Sequence, residues 1–320
     1  MKHIPKCAKT FKSYCLSNSI FNNTYTLIGS PIPFDVTLRD GIQSLNLDNK
    51  NLENFSLEKK IEIYDFILEN YKPKNIEIGS IVNNRILPIF KDTEQLFNYV
   101  ESYKNINNYV LIPNENKLLT AMSYGVKNFA FITSVSNSFQ KKNTKMNLDE
   151  SYDSLKNMIS ILDECSSRDQ NRHIYDDSFQ YNVKLYVSCI NECPIEGKMN
   201  TSIIVDMLHK LSELNPNKIC LSDTCGTLDI IDFRQIVNGI KNKGLKTSLF
   251  SLHLHINPNK EEKAEEIVYY ALDNKINEFD VSLLNFGGCS VTMDQNKLLP
   301  NMTYKQYYRF LSNYIINKCK

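Results

Sequence analysis

The sequence predicts a single-domain α/β protein, a closed parallel (β/α)₈ barrel of the TIM type. Three observations predict it. From residue 34 onward, short β-branched runs alternate with longer stretches of helical character, giving eight strand–helix pairs. No Gly-rich dinucleotide loop follows the first run, which disfavours a doubly wound open sheet. The length, 320 residues, suits one barrel.

The candidate strands are Phe34–Leu38, Asn75–Ile78, Tyr109–Ile112, Asn128–Thr133, Val183–Ser188, Lys218–Leu221, Leu249–His255 and Glu278–Leu283. Each is followed by a helical segment. Ser56–Asn70 is the clearest: Ser56 suits an N-cap, and Ile61, Ile63, Phe66 and Ile67 recur near helical spacing. Asp149–Leu162, Ser202–Leu214, Lys260–Leu272 and Thr303–Ile316 read the same way. In such a barrel the strand C-termini and the loops after them build the active site. The residues capable of chemistry fall there.

Composition narrows the function class. Hydrophobic residues make up 42% and charged residues 23%, ordinary for a soluble globular enzyme. The net charge of +1, from 37 basic and 36 acidic residues, offers no field for nucleic acid or an anionic membrane. No uncharged run approaches the roughly 20 apolar residues of a membrane span. Nine cysteines, scattered from Cys7 to Cys319, form neither a disulfide framework nor a structural zinc site. They read as reduced thiols in a cytoplasmic compartment. Residues 1–30 carry Lys2, Lys6, Lys9 and Lys12 and no acidic residue, as mitochondrial targeting segments do. Lacking Arg and a clear amphipathic helix, they read instead as an N-terminal extension to a barrel spanning 31–320.

Four groups of residues carry chemistry. Arg39 and Asp40 end the first strand, and Gly41 follows them at a tight turn; a surface ion pair is the bland alternative. His253 and His255 sit at i and i+2 on the seventh strand, so both imidazoles face one side and can share a metal. Asp40 adds a hard oxygen, and a mixed site of this kind suits Mg²⁺ or Mn²⁺. Asp223 follows the sixth strand, where it either caps the next helix or takes part in acid/base chemistry. Glu77 lies within the second strand, where a carboxylate needs a partner, and Arg39 is the natural one. Phe286-Gly287-Gly288-Cys289 follows the eighth strand as a flexible loop with a thiol, or simply as a tight turn.

Taken together, these motifs resemble the DRE-TIM metallolyase superfamily, and within it most closely the 3-hydroxy-3-methylglutaryl-CoA lyases. TLRDGIQ is similar to the superfamily's first-strand signature. YVSCINECPIEGK at Tyr186–Lys198 and SNSFQKKNTKMNLDES at Ser136–Ser151 resemble the lyase branch, and IEIGS, LIPN, SDTCG, HLH and GGC follow in the family's order. The resemblance covers roughly residues 30 to 312. It implies Asp40, His253 and His255 as metal ligands, with Asn301 as the fourth and Asn296 as the alternative. It implies Arg39 stabilising an enolate, Glu77 positioning Arg39, Asp223 or His253 as base, and Cys289 as the loop thiol. Two stretches depart from the family pattern: GGCSVTMDQNKLLPN, about three residues longer before Asn301, and HINPNKEE after the histidines.

The activity this implies is retro-Claisen cleavage of an acyl-CoA substrate to acetyl-CoA and a keto acid, with Mg²⁺ or Mn²⁺ as cofactor and a homodimer as the assembly. One alternative is Claisen condensation of the citramalate, isopropylmalate or homocitrate synthase kind. Those synthases carry a further C-terminal region, and here the chain ends shortly after the eighth helix. Another is a barrel that keeps the pocket and binds without catalysis, which the altered GGC loop motivates.

Overall fold

The computed structural model describes residues 31–47, 54–172, 180–288 and 292–319. The expected extension over residues 1–30, and Cys289 with its assigned role, lie outside the described residues. The barrel strands are β1 (Ile32–Asp35), β2 (Asn75–Ser80), β3 (Asn107–Leu111), β4 (Asn128–Ser134), β5 (Asn182–Ser188), β8 (Lys218–Asp223), β9 (Phe250–Leu254) and β10 (Glu278–Val281). All neighbouring pairs are parallel, and β1 closes the barrel by pairing with both β2 and β10. The expected (β/α)₈ barrel is therefore the observed fold.

Strand alternation sorts the side chains. On β5, Val183, Leu185 and Val187 join the main core between the sheet and its helices. Lys184, Tyr186 and Ser188 alternate with them and turn into the barrel. Inside, Tyr186 packs with Leu111, Ala130 and Cys220, while Phe34, Val36 and Tyr109 form a second apolar layer. Each Leu or Ile buried in the outer core contributes roughly 1.5–3 kcal/mol, so the outward faces of the strands hold the helices in place.

The helices start where their caps predict. Ser56 accepts a hydrogen bond from the Lys59 amide and opens Leu57–Asn70. Thr303 and Gln306 form a reciprocal capping box at the start of Tyr304–Lys318. One expectation is corrected. β5 runs first into an antiparallel hairpin, β6 (Glu192–Cys193) with β7 (Gly197–Lys198), before the helix Thr201–Ser212 begins. That hairpin contains the CPIEGK stretch.

The first strand also ends earlier than the expected Leu38. The Asp35 carboxylate accepts from the Thr37 amide at 2.9 Å and the Thr37 hydroxyl at 2.9 Å. These bonds turn the chain, and Arg39 and Gly41 both donate to the Val36 carbonyl. The turn aims Arg39 and Asp40 across the barrel mouth.

Asp35 is fully buried, and that burial pushes its pKa up to about 7 against the Thr37 hydrogen bonds. A folded pKa above the unfolded one makes a contribution to stability that is complete below the unfolded value and lost as pH rises through the folded one. The Asp35→Asn variant is expected to lose less stability than the wild type between about pH 4 and pH 7. Denaturant unfolding across that range measures it, and parallel profiles would mean that Asp35 ionises alike in both states.

Candidate metal centre and active site

β9 carries His253 in its inward register, and His255 lies just past the strand end. Leu252 and Leu254 between and beside them face the outer core, which fixes the phase of the strand. The two imidazoles therefore meet at the barrel mouth, with their Nε2 atoms 3.2 Å apart. His253 Nδ1 lies 2.9 Å from an Asp280 oxygen. Burial lowers the pKa of His255 to about 4, so its ring is neutral near pH 7.

Asp40 enters from the turn after β1. One of its oxygens accepts from Arg39 Nη1 at 2.6 Å, and the other lies 3.7 Å from His253 Nε2. Burial opposes its ionisation, but Arg39 and the two imidazoles outweigh that and hold it well below the usual carboxylate range. Arg39 Nε also donates to Glu77 at 2.7 Å, and the Tyr186 hydroxyl donates to the same Glu77 oxygen at 2.9 Å. Burial pushes the Glu77 pKa up despite the guanidinium beside it. The Arg39 guanidinium carbon stands 4.9 Å from the centre of the Tyr186 ring.

Asn301 arrives from the other end of the chain. It forms a bridge with His255, while Met302 is stitched between β9 and β10 through Leu254 and Ser282. The Asn301 amide donates to Asp40 at 2.9 Å, and the Gly288 amide donates to the same oxygen at 3.2 Å. Gly287 must be glycine here, because a Cβ would lie 2.7 Å from the Asn301 side chain. Asn296, the alternative, lies exposed in the turn Gln295–Lys297.

Asp223 ends β8 and accepts from the Thr227 and Leu228 amides, each at 3.1 Å. It thus pins the loop around Gly226, and burial raises its pKa to about 7. Sequence reasoning passed over Asp280, Lys184 and Tyr186, which buttress the site from inside. Their signal was inward register: each is a polar or charged residue at an even position of a strand whose odd positions are apolar.

The residues fit a divalent cation. One donor atom each from Asp40, His253 and His255 lie within 4.8 Å of one another, all buried. Asn301 Oδ1 is buried beside them with no hydrogen-bond partner, and orphaned buried oxygens are costly. A carboxylate, two imidazoles and an amide oxygen form a donor set for Mg²⁺, Mn²⁺ or a similar ion.

Fold and site together define a (β/α)₈ barrel with a carboxylate–imidazole cluster able to hold a divalent cation at the C-terminal mouth of its strands. The chain belongs to the HMGL-like family, whose model matches residues 30–259. The mitochondrial hydroxymethylglutaryl-CoA lyase of Bos taurus is 26% identical over 255 residues, covering 80% of this chain and 71% of that protein. The hydroxymethylglutaryl-CoA lyase of Pseudomonas mevalonii is 24% identical, covering 68% of this chain and 66% of that one. A cytoplasmic 3-hydroxy-3-methylglutaryl-CoA lyase of Rattus norvegicus is 26% identical, and the match spans 57% of its length. The solved HMG-CoA lyase of Bacillus subtilis superposes with a TM-score of 0.73 at 20% identity, covering 88% of this chain and 86% of that one. That of Acinetobacter baumannii, in complex with coenzyme A and 3-methylmalate, gives 0.72 at 21%, covering 88% and 83%. The resemblance to the DRE-TIM metallolyases is borne out, and these relatives are named as hydroxymethylglutaryl-CoA lyases. No described helix is long and apolar enough to cross a membrane.

The His255→Ala variant is expected to lose Mn²⁺ affinity by more than the roughly 10–100-fold that removing an outer partner costs. Exposed Asn296→Ala should bind as the wild type does. Isothermal titration measures both, and unchanged binding by His255→Ala would remove the cluster from metal chemistry.

Proposed function

We propose that the chain is a divalent-metal-dependent carbon–carbon lyase that cleaves 3-hydroxy-3-methylglutaryl-CoA, or a close relative, to acetyl-CoA and acetoacetate. The observation that carries this reading is the convergence of Asp40, His253, His255 and Asn301 beside the Arg39 guanidinium. These four residues would hold the ion, which when bound supplies a Lewis acid for the substrate's hydroxyl and carboxylate oxygens.

The remaining residues divide the reaction between them. The base is assigned to Asp223 rather than His253. His253 already engages Asp280 through Nδ1 and faces the ligand cluster through Nε2, which leaves it no free nitrogen to take the substrate's proton. Asp223, with a pKa near 7, can both take and return a proton at neutral pH. It removes the proton of the tertiary hydroxyl. The carbon–carbon bond then breaks, the hydroxyl carbon becomes the ketone of the keto acid, and the bonding electrons pass to the thioester as an enolate. Arg39 stabilises that developing charge, while Glu77 holds its Nε and Asp40 its Nη1 in place. A donor fixed beforehand spends no free energy on reorientation in the transition state. Protonation of the enolate carbon completes the reaction, a role the sequence suggests for Cys289.

Six described cysteines are free thiols, which supports a reducing, cytoplasm-like compartment.

Purified protein with Mn²⁺ or Mg²⁺ is expected to release acetyl-CoA from 3-hydroxy-3-methylglutaryl-CoA and to stop when the metal is chelated. No turnover by the metal-loaded protein would overturn the assignment. Arg39→Gln is expected to lower kcat on the order of 10²–10³-fold while keeping Mn²⁺ affinity. Near-wild-type turnover would exclude Arg39 from the chemistry.

A further inference from the structure

Beneath the metal centre a second polar cluster lies wholly inside the barrel. Lys184 Nζ sits 2.5 Å from Asp280 Oδ1 and 3.2 Å from Glu278. It also lies 3.3 Å from the centre of the Phe34 ring. Asp280 Oδ2 faces His253 Nδ1 at 2.9 Å and the Cys220 thiol at 3.8 Å. Lys184 and Asp280 are each about 1% exposed, so water cannot substitute for either partner.

We infer that Lys184 and Asp280 act together as positioning residues that fix the tautomer of His253. An ionised carboxylate only accepts hydrogen bonds, so His253 Nδ1 must carry the proton. In the neutral ring with its proton on Nδ1, the lone pair is on Nε2, the atom that faces His255 and Asp40. Lys184 only donates, and it claims the other carboxylate oxygen. The two oxygens of Asp280 are therefore not interchangeable. The lysine orients the carboxylate, the carboxylate orients the imidazole, and the imidazole presents a ligand atom. This rests on the metal reading above, but the tautomer can be observed without a metal.

Asp280→Asn separates this role from mere packing. The amide has one accepting oxygen and one donating nitrogen. Lys184 requires the oxygen, so the NH₂ group is turned toward His253 Nδ1. That ring nitrogen must then accept, which moves the proton to Nε2 and removes a ligand. In Asp280→Asn with Lys184→Met the constraint is gone, and the amide can turn its oxygen to His253.

The expected results are a roughly 10–100-fold loss of Mn²⁺ affinity in Asp280→Asn and partial recovery in the double variant. The ¹⁵N spectrum of the imidazoles should show His253 protonated at Nδ1 in the metal-free wild type and at Nε2 in Asp280→Asn. Wild-type affinity in Asp280→Asn, or no recovery in a folded double variant, would overturn the inference. Wild-type protein that binds no Mn²⁺ would refute the metal reading, and the spectrum would still decide this one. If Asp280→Asn does not fold, the wild-type spectrum decides alone: a proton at Nε2 of His253 overturns the inference.

Discussion

The site depends on one buried carboxylate with four neighbours. Asp40 takes Arg39 on one oxygen, and the amides of Asn301 and Gly288 on the other, with His253 alongside. Asn301 is 261 residues away in sequence, so closing this contact requires the whole barrel to be in register. A buried charge without partners is heavily penalised. The same penalty that makes Asp40 a risk to the fold ensures that its partners arrive together. Binding chemistry and chain closure are thus satisfied by one set of contacts.

A second constraint runs through the inside of the barrel. Two small apolar clusters fill part of the inward layer, yet Lys184, Glu278, Asp280, Glu77 and Arg39 are buried there as well. Each has a partner of opposite charge, except that Glu77 leaves one oxygen unpaired. An all-aliphatic interior would be at least as stable by the usual balance of desolvation against pairing. What the charged ladder supplies is direction. It holds planar groups at fixed angles below the barrel mouth, which apolar packing cannot do.

Much of this was legible in the chain before any coordinates. Short β-branched runs between helical stretches located the strands, and spacing alone put His253 and His255 on one face. The Arg39–Glu77 partnership followed from the cost of an unpaired carboxylate inside a barrel. The ends of strands were less legible. Asp35 stops β1 early because its own side chain bonds to Thr37, a local competition that a β-branched run does not reveal. The hairpin after β5 was hidden for a similar reason, since CPIEGK has no strand periodicity. Asn301 was preferred to Asn296 by resemblance alone, and the bridge to His255 places Asn301 in the buried cluster. Asp280 and Lys184 were passed over because their partnership crosses the barrel, and only closure brings β5 opposite β10.

The reciprocal cap at Thr303 has a reach beyond its own helix. It begins two residues after Asn301, and its Gln306 also donates to Glu261 on the neighbouring helix Glu261–Asp273 at 2.8 Å. Glu261 binds Arg309 as well, one turn further along. The buried Asn301 is in this way braced by a carboxylate nearer the surface, through three short links. Evolutionary drift at that outer position is therefore less free than its surroundings suggest, because a change there is felt at the floor of the mouth.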